Sequence, residues 1–316
     1  MRRGAVLVLL ISLPLLASCA VVPWFKRTPQ QPQTQAPPAK PAPMAVEAKR
    51  AQVLMGTMVE IRAVASSETL AQAALTAGFQ EIRRLESLLS TWIETSELSK
   101  VNAAAGQEAV SVSEETFALL RKSLEIAEYT EGGFNIAIGP AVRLWNIPEA
   151  PHIPTDMELE IVAQYVDYHD IHLDPTRRTV FLEKPGMQID VGGIGKGFAA
   201  EKAASVMREV GARGGLVAVS GDFRVFGKRA DGTAWPVGIK DPRRPGKILA
   251  TIEAADEAIS TAGDYERFFI KGGIRFHHIL DPETLKPARL CQSVTVVAPD
   301  GTLADGLDTG VFVMGP

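Results

Sequence analysis

Cysteine is scarce in this 316-residue chain, positive charge is not in surplus, and long apolar runs are almost absent. Each shortage excludes something. Two cysteines, Cys19 and Cys291, cannot build a disulfide framework, so the folded part must be held by its core alone. Lys and Arg number 33 against 37 Asp and Glu, a net charge of −4, and an acidic balance argues against a general nucleic-acid binder. Past the N-terminus no apolar stretch is long enough to cross a bilayer, and no internal repeat suggests a solenoid.

What is present begins with an export address. Arg2 and Arg3 form a basic start, Val6 to Leu16 form a short apolar core, and "LASC" resembles a bacterial lipoprotein cleavage box. Residues 1–18 are therefore expected to be a signal peptide, with Cys19 the lipid-carrying first residue. Loss of Arg2 and Arg3, with no acid removed, shifts the net charge from −4 to −6. An acylated Cys19 also leaves Cys291 unpaired. Residues 19–50, with "TPQQPQTQAPPAKPAPMA" at 28–45, lack the apolar side chains for a core and read as a Pro/Gln/Ala tether, extended at ~3 Å per residue. The folded domain is expected over 51–316, as one domain or two fused lobes. Ala20 after the cysteine is compatible with outer-membrane sorting.

Periodicity gives the architecture. "VLMGTMVEIRAVA" (53–65) alternates like a strand. An amphipathic helix follows behind an N-cap at Ser67, and a second follows Ser113 and stops at Gly132 and Gly133. Shorter helices are expected in "GPAVRLWNIP" and, behind Thr155, in "TDMELEIVAQYV". The later chain holds short β-type runs, "MQIDV", "GLVAVS", "FRVFGK", "AISTAG" and "SVTVVAP" among them, and one helix, "GFAAEKAASVMREVG". Helices early and strands late, joined by tight turns, predict an α+β fold with mixed, largely antiparallel sheets.

Three places could carry chemistry. "IDVGGIGKGFAAE" (189–201) sets Gly192, Gly193, Gly195 and Gly197 before a helix, where amides and the helix dipole suit a phosphate. It is neither a dinucleotide loop, because Phe198 stands where a small residue is needed, nor a P-loop, because Gly197 follows the lysine. Glycine content alone leaves a phosphate cradle and a packing corner equally open; Asp190 and Lys196 favour the former. In "RFHHILDPET", His277 and His278 should point to opposite faces of a strand, so only one can line a cleft. In "ADGLDTG", Asp305, Asp308 and Thr309 fall on one helical face, as hard oxygen ligands for Mg²⁺ or Ca²⁺ or as a helix cap. Trp92 sits between a helix and a polar loop, where aromatics more often close a core.

In order along residues 53–316, "MGT", "LSTW", "SELSKVN", "GGFNIAIGP", "IDVGGIGKGFAAE", "VSGD", "AISTAGDYERFF", "HHILDPET", "SVTVVAP" and "ADGLDTG" resemble the ApbE family, the FAD:protein FMN transferases. The set is specific as an ordered series, and the lipoprotein signal fits it. The resemblance implies an ApbE-like fold and an enzyme that uses FAD as substrate and Mg²⁺ as cofactor. It would move the FMN half onto a threonine of an acceptor protein, a membrane redox subunit, and release AMP. Met55, Trp92, Phe134, Asn135, Ile136, Asp190, Lys196 and Leu280 would contact FAD. Gly193, through its carbonyl, with Asp305, Asp308 and Thr309, would hold the metal, and His278 stands at the place of a base. Trp92 replaces a tyrosine common in the family, Asn135 an aspartate and Lys196 a glutamate, and the chain ends earlier than relatives usually do. The same residues would also serve an Mg²⁺-dependent FAD pyrophosphatase or a non-catalytic flavin carrier. The expected location is the bacterial cell envelope, lipid-anchored and facing the periplasm.

Overall fold

The computed structural model describes residues 5–10, 45–147 and 149–316, the first stretch as backbone only. The first half holds β1 (Ala5–Leu10), β2 (Val46–Leu54), β3 (Thr57–Ala65), α1 (Glu68–Leu89), α2 (Glu97–Ala103), β4 (Val110–Ser111), α3 (Glu114–Tyr129), α4 (Gly139–Trp145) and α5 (Asp156–Ala163). The second half holds β5 (Ile171–Asp174), β6 (Thr179–Leu182), α6 (Gly195–Val210), β7 (Gly214–Val219), β8 (Asp222–Phe226), β9 (Trp235–Lys240), β10 (Ile248–Ala254), β11 (Ala258–Gly263), β12 (Phe268–Lys271), β13 (Ile274–His277), β14 (Cys291–Ala298) and α7 (Gly301–Met314).

One seven-stranded sheet, in the order β1-β14-β11-β8-β7-β3-β2, organises the domain. Every pairing in it is antiparallel except β1 beside β14. The smaller sheets are β9 with β10, β12 with β13, and β4-β6-β5. The expected mixed, largely antiparallel α+β architecture is what forms. One face of the large sheet is covered by α1, α6 and α7. Val59, Ile61 and Ala63 of β3 meet Ile82 and Leu85 of α1 and Ala199, Ala203 and Met207 of α6 in one buried cluster. Each fully buried Ile or Leu there contributes about 1.5–3 kcal/mol. The other face carries a smaller cluster around Trp235, Val237 and Ile239.

The helices start where their caps place them. Ser67 accepts from the Leu70 amide, Ser113 from Thr116, and Thr155 with Glu158 closes a complete capping box. The strand reading of "MQIDV" is corrected: residues 187–191 form no strand. Their partners are helical residues, with the Asp190 amide donating to Ile136 O of a short 3-10 helix at 2.8 Å and Asn102 of α2 bracketing Ile189. The folded part also begins earlier than Arg50, because β2 starts at Val46 and forms a hairpin with β3. That hairpin turns on Met55 (φ 52°) and Gly56 (φ 66°), both left-handed, as a two-residue hairpin turn requires. The non-glycine Met55 is held there by its amide, which donates to Glu86 Oε1 at 2.7 Å. Ala5–Leu10, expected within the leader, form β1. Cys19 and residues 19–44 of the tether lie outside the described residues.

Candidate active site

Four elements converge at one end of the large sheet: the start of α6, the middle of α7, the first residue of β8 and the centre of β11. Helix α6 has no side-chain cap of its own, since Ile194 occupies the cap position. Its first turn is capped from elsewhere: the Gly197 amide donates to Asp305 Oδ2 at 2.7 Å, across 108 residues of sequence. The positive end of α6 thereby faces a carboxylate of α7. That approach is possible only because residue 197 is glycine. A Cβ there would stand 2.1 Å from Gly301 O and 2.6 Å from Asp305 Cβ.

The glycine turn is thus part packing corner and part site. Gly197 serves the crossing of α6 over α7, and the Gly192 amide is already bonded to Asp190 Oδ1 at 2.7 Å. Gly193 lies against the acidic helix, with the position of its missing Cβ 3.1 Å from Thr309 Oγ1 and 3.5 Å from the Phe134 ring. Asp305, Asp308 and Thr309 sit inside α7, whose cap is Asp300. They therefore do not cap their own helix, although Asp305 caps the first turn of α6.

Asp222, Asp305 and Asp308 are buried, and an oxygen of each lies within 4.8 Å of the others. Lys196 makes a direct ion pair with Asp222 and lies 3.7 Å from Asp305 Oδ1. Ser260 Oγ reaches both Asp222 Oδ1 and, at 2.7 Å, Asp308 Oδ2. One hydroxyl proton cannot serve two carboxylates at once. Burial, then Asp222, raises Asp305 to about 7, and burial, then Asp305 and Asp222, raises Asp308 well above its ordinary value. Burial works against the Lys196 charge, but Asp222 and Asp305 override it and raise its pKa. Fully ionised, three carboxylates against one ammonium would leave two negative charges in excess, which is why protons are held there without a cation, and all the donors are hard oxygens. This set fits a divalent cation such as Mg²⁺.

The expectation of opposite strand faces meets a different setting: His277 ends β13 and His278 follows in a bend beyond it. His277 is buried, edge-on to Phe312 of α7, with Nε2 against Ala288 O at 2.7 Å. His278 is half-buried, its Nδ1 against Arg267 O at 3.3 Å. A carbonyl only accepts, so Nδ1 carries the proton and Nε2 keeps its lone pair. Burial, then the charges of Arg267, His277 and Lys196, push the His278 pKa down to about 3. The same Lys196 therefore acts on His278 and touches the acidic cluster.

Trp92, Arg143, Asn146 and Asp190 line a shallow surface depression. Trp92 is 72% exposed, so it closes no core and offers its ring to the depression. Burial raises the Asp190 pKa, opposed by its bond from Gly192 and by Arg143 and Arg267. Met55 sits near Gly195, 4.0 Å from the position of its missing Cβ. Phe134 and Ile136 are buried, and Asn135 caps the turn Ile136–Ile138 by accepting from the Ala137 amide at 2.8 Å. That segment runs alongside Asp190 but offers mainly backbone. Leu280, 6% exposed, packs with Trp145 and Leu285, so its side chain supports the wall and presents little surface to a ligand.

Sequence reasoning assigned no role to Asp222, Ser260 or Glu201, although the stretches "VSGD", "AISTAG" and "GFAAE" contain them. Glu201 pairs with buried Arg224 at 2.6 Å and accepts from the Gly301 amide at 2.9 Å, tying α6, α7 and β8 together.

Residues 55–316 match the model of the ApbE family. A FAD:protein FMN transferase of Treponema pallidum is 36% identical, over 85% of this chain and 79% of that protein. One of Klebsiella pneumoniae is 31% identical, over 83% and 81%. Among solved structures, the ApbE protein of Thermotoga maritima superposes with a TM-score of 0.79 at 34% identity, covering 85% of this chain and 87% of that one. The flavin transferase ApbE of Vibrio cholerae gives 0.76 at 28%, covering 86% and 88%.

Proposed function

The chain belongs to the ApbE family, and from that premise we propose that it transfers the FMN half of FAD to a threonine hydroxyl of an acceptor protein. AMP is the other product. The observation that carries the reading is the half-buried Lys196 held among three buried carboxylates, with the charge of Lys196 felt at His278, whose Nδ1 faces Arg267 O. An imidazole that stays unprotonated at neutral pH is suited to accept a proton from an incoming hydroxyl.

In this proposal His278 Nε2 takes the threonine proton as the hydroxyl oxygen bonds to the phosphorus of the FMN half. The bond from that phosphorus to the oxygen of the AMP phosphate breaks, and AMP carries the displaced electron pair. Lys196 supplies a fixed positive charge at the diphosphate. Trp92 offers an exposed ring for stacking, and Asp190 a hydrogen-bond acceptor for the rest of FAD. Asp305, Asp308 and Thr309, with the Gly193 carbonyl, would hold Mg²⁺. Bound there, it would neutralise diphosphate charge. The "LASC" signal supports a lipid anchor at Cys19 and a periplasm-facing location in a bacterial envelope, and the acceptor we propose is a membrane redox subunit.

The test is incubation of the protein with FAD, Mg²⁺ and a threonine-containing acceptor, reading AMP release and covalent flavin fluorescence on the acceptor together. Both signals, dependent on the metal, support transfer. AMP and free FMN without labelled acceptor would make the protein a pyrophosphatase, and FAD binding without AMP release would make it a carrier.

A further inference from the structure

Lys196 is a cation beside a site read as a cation site, and something must keep it from filling that site. Asp305 has two oxygens. Oδ2 is engaged by the Gly197 amide at 2.7 Å, which leaves Oδ1 for a ligand. That is the atom Lys196 Nζ approaches to 3.7 Å, just beyond hydrogen-bond range. The ammonium is drawn the other way by direct contact with Asp222 Oδ2. Asp222 is itself anchored through Oδ1 by Ser260 of β11, whose hydroxyl also reaches Asp308 Oδ2 at 2.7 Å.

We propose that Asp222 is a positioning residue that holds the Lys196 ammonium off Asp305 Oδ1, with Ser260 fixing Asp222 relative to Asp308, so that Asp305 and Asp308 stay available to a divalent cation. This rests on the reading above that the cluster takes such a cation. Without Asp222, a shift of about 1 Å brings Nζ into a charge-assisted hydrogen bond with Asp305 Oδ1. Lysine then competes for the carboxylate the metal needs. Asp222 thus acts through Lys196, which distinguishes it from a direct metal ligand.

The experiment measures Mn²⁺ and Mg²⁺ binding by calorimetry, without FAD, so that activity is not the readout. D222N should weaken binding by about 10–100-fold, the usual cost of losing a partner that orients a metal ligand. Adding K196M to D222N removes the competing ammonium and restores the excess negative charge of the cluster, and affinity should return to within ~3-fold of wild type. S260A, a smaller change suited to the case where D222N fails to fold, should weaken binding in the same direction; a circular-dichroism melt of each variant checks folding. Wild-type affinity in folded D222N or S260A overturns the proposal. So does a double variant as weak as D222N, which would make Asp222 a ligand. Wild-type protein that takes up neither metal overturns the cation reading itself and this inference with it, a result distinct from normal wild-type uptake with unaffected variants.

Discussion

Replacing Gly197 by alanine should separate the two helices that build the site. An alanine at that point of an exposed helix would be favourable by about 1 kcal/mol. Here the added Cβ meets Gly301 O at 2.1 Å, about 1.3 Å short of ordinary contact, and Asp305 Cβ at 2.6 Å. One obstacle is helix backbone, and the other is the first side-chain atom of a residue itself bonded to Gly197, so neither can rotate aside. Overpacking of this kind costs about 1–3 kcal/mol. Stretching the Gly197–Asp305 hydrogen bond, made to a carboxylate, costs about 1.5–3 kcal/mol more. Net of helix propensity, G197A should lose about 1.5–5 kcal/mol, a fall in Tm of roughly 3–9 °C for a domain of this size. Divalent-cation affinity should fall as well, because Asp305 moves with α7.

Thermal denaturation followed by circular dichroism measures the first effect and calorimetric Mn²⁺ titration the second. The internal control is Gly195, two residues earlier in α6, where an added Cβ would find its nearest neighbour at an ordinary 3.6 Å. G195A should be neutral or slightly stabilising. A G197A protein that melts with wild type, or a G195A protein damaged as badly, would refute the close-crossing argument.

His278→Gln should reduce transfer by about 10²–10⁴-fold while FAD binding, measured by flavin fluorescence, is retained; wild-type turnover would remove His278 from the mechanism. Because the His278 pKa is lowered to about 3 by burial and neighbouring charge, the pH profile of transfer should show no acid limb near 6.5 from this group, and one that vanishes in the glutamine variant would contradict that. Asp305 is raised to about 7, chiefly by burial, so the folded metal-free protein binds its proton more tightly than the unfolded chain does. Its contribution therefore favours folding at low pH and is lost between about 4 and 7 as pH rises, and added Mg²⁺ should recover stability above pH 7; melts across pH with and without metal check the sign. Trp92→Ala should leave Tm nearly unchanged, within the ~0.5 kcal/mol usual for exposed positions, yet weaken FAD about 2–10-fold if the ring stacks on the ligand, which fluorescence titration reads directly.

What residue order fixed by itself is whatever depends on neighbours a few positions away. The caps at Ser67, Ser113 and Thr155 and the alternation of β3 follow from local backbone geometry with periods of 3.6 and 2. Asp305, Asp308 and Thr309 share a face of α7 for the same reason. The strand expected over 187–191 failed because local alternation does not say whether a neighbouring edge exists to pair with; those residues bond to Ile136 and Asn102 instead. Asp222 and Ser260 gave no local sign of belonging to the site, since β8 and β11 approach α6 and α7 only through the sheet order. Gly197 looked like a phosphate turn because its partner, Gly301, lies a hundred residues on. Tertiary structure alone decided that three aspartates share one lysine, and it did so by burial: in water these charges would be screened and separate, whereas packed between two helices and a sheet they have to answer to each other.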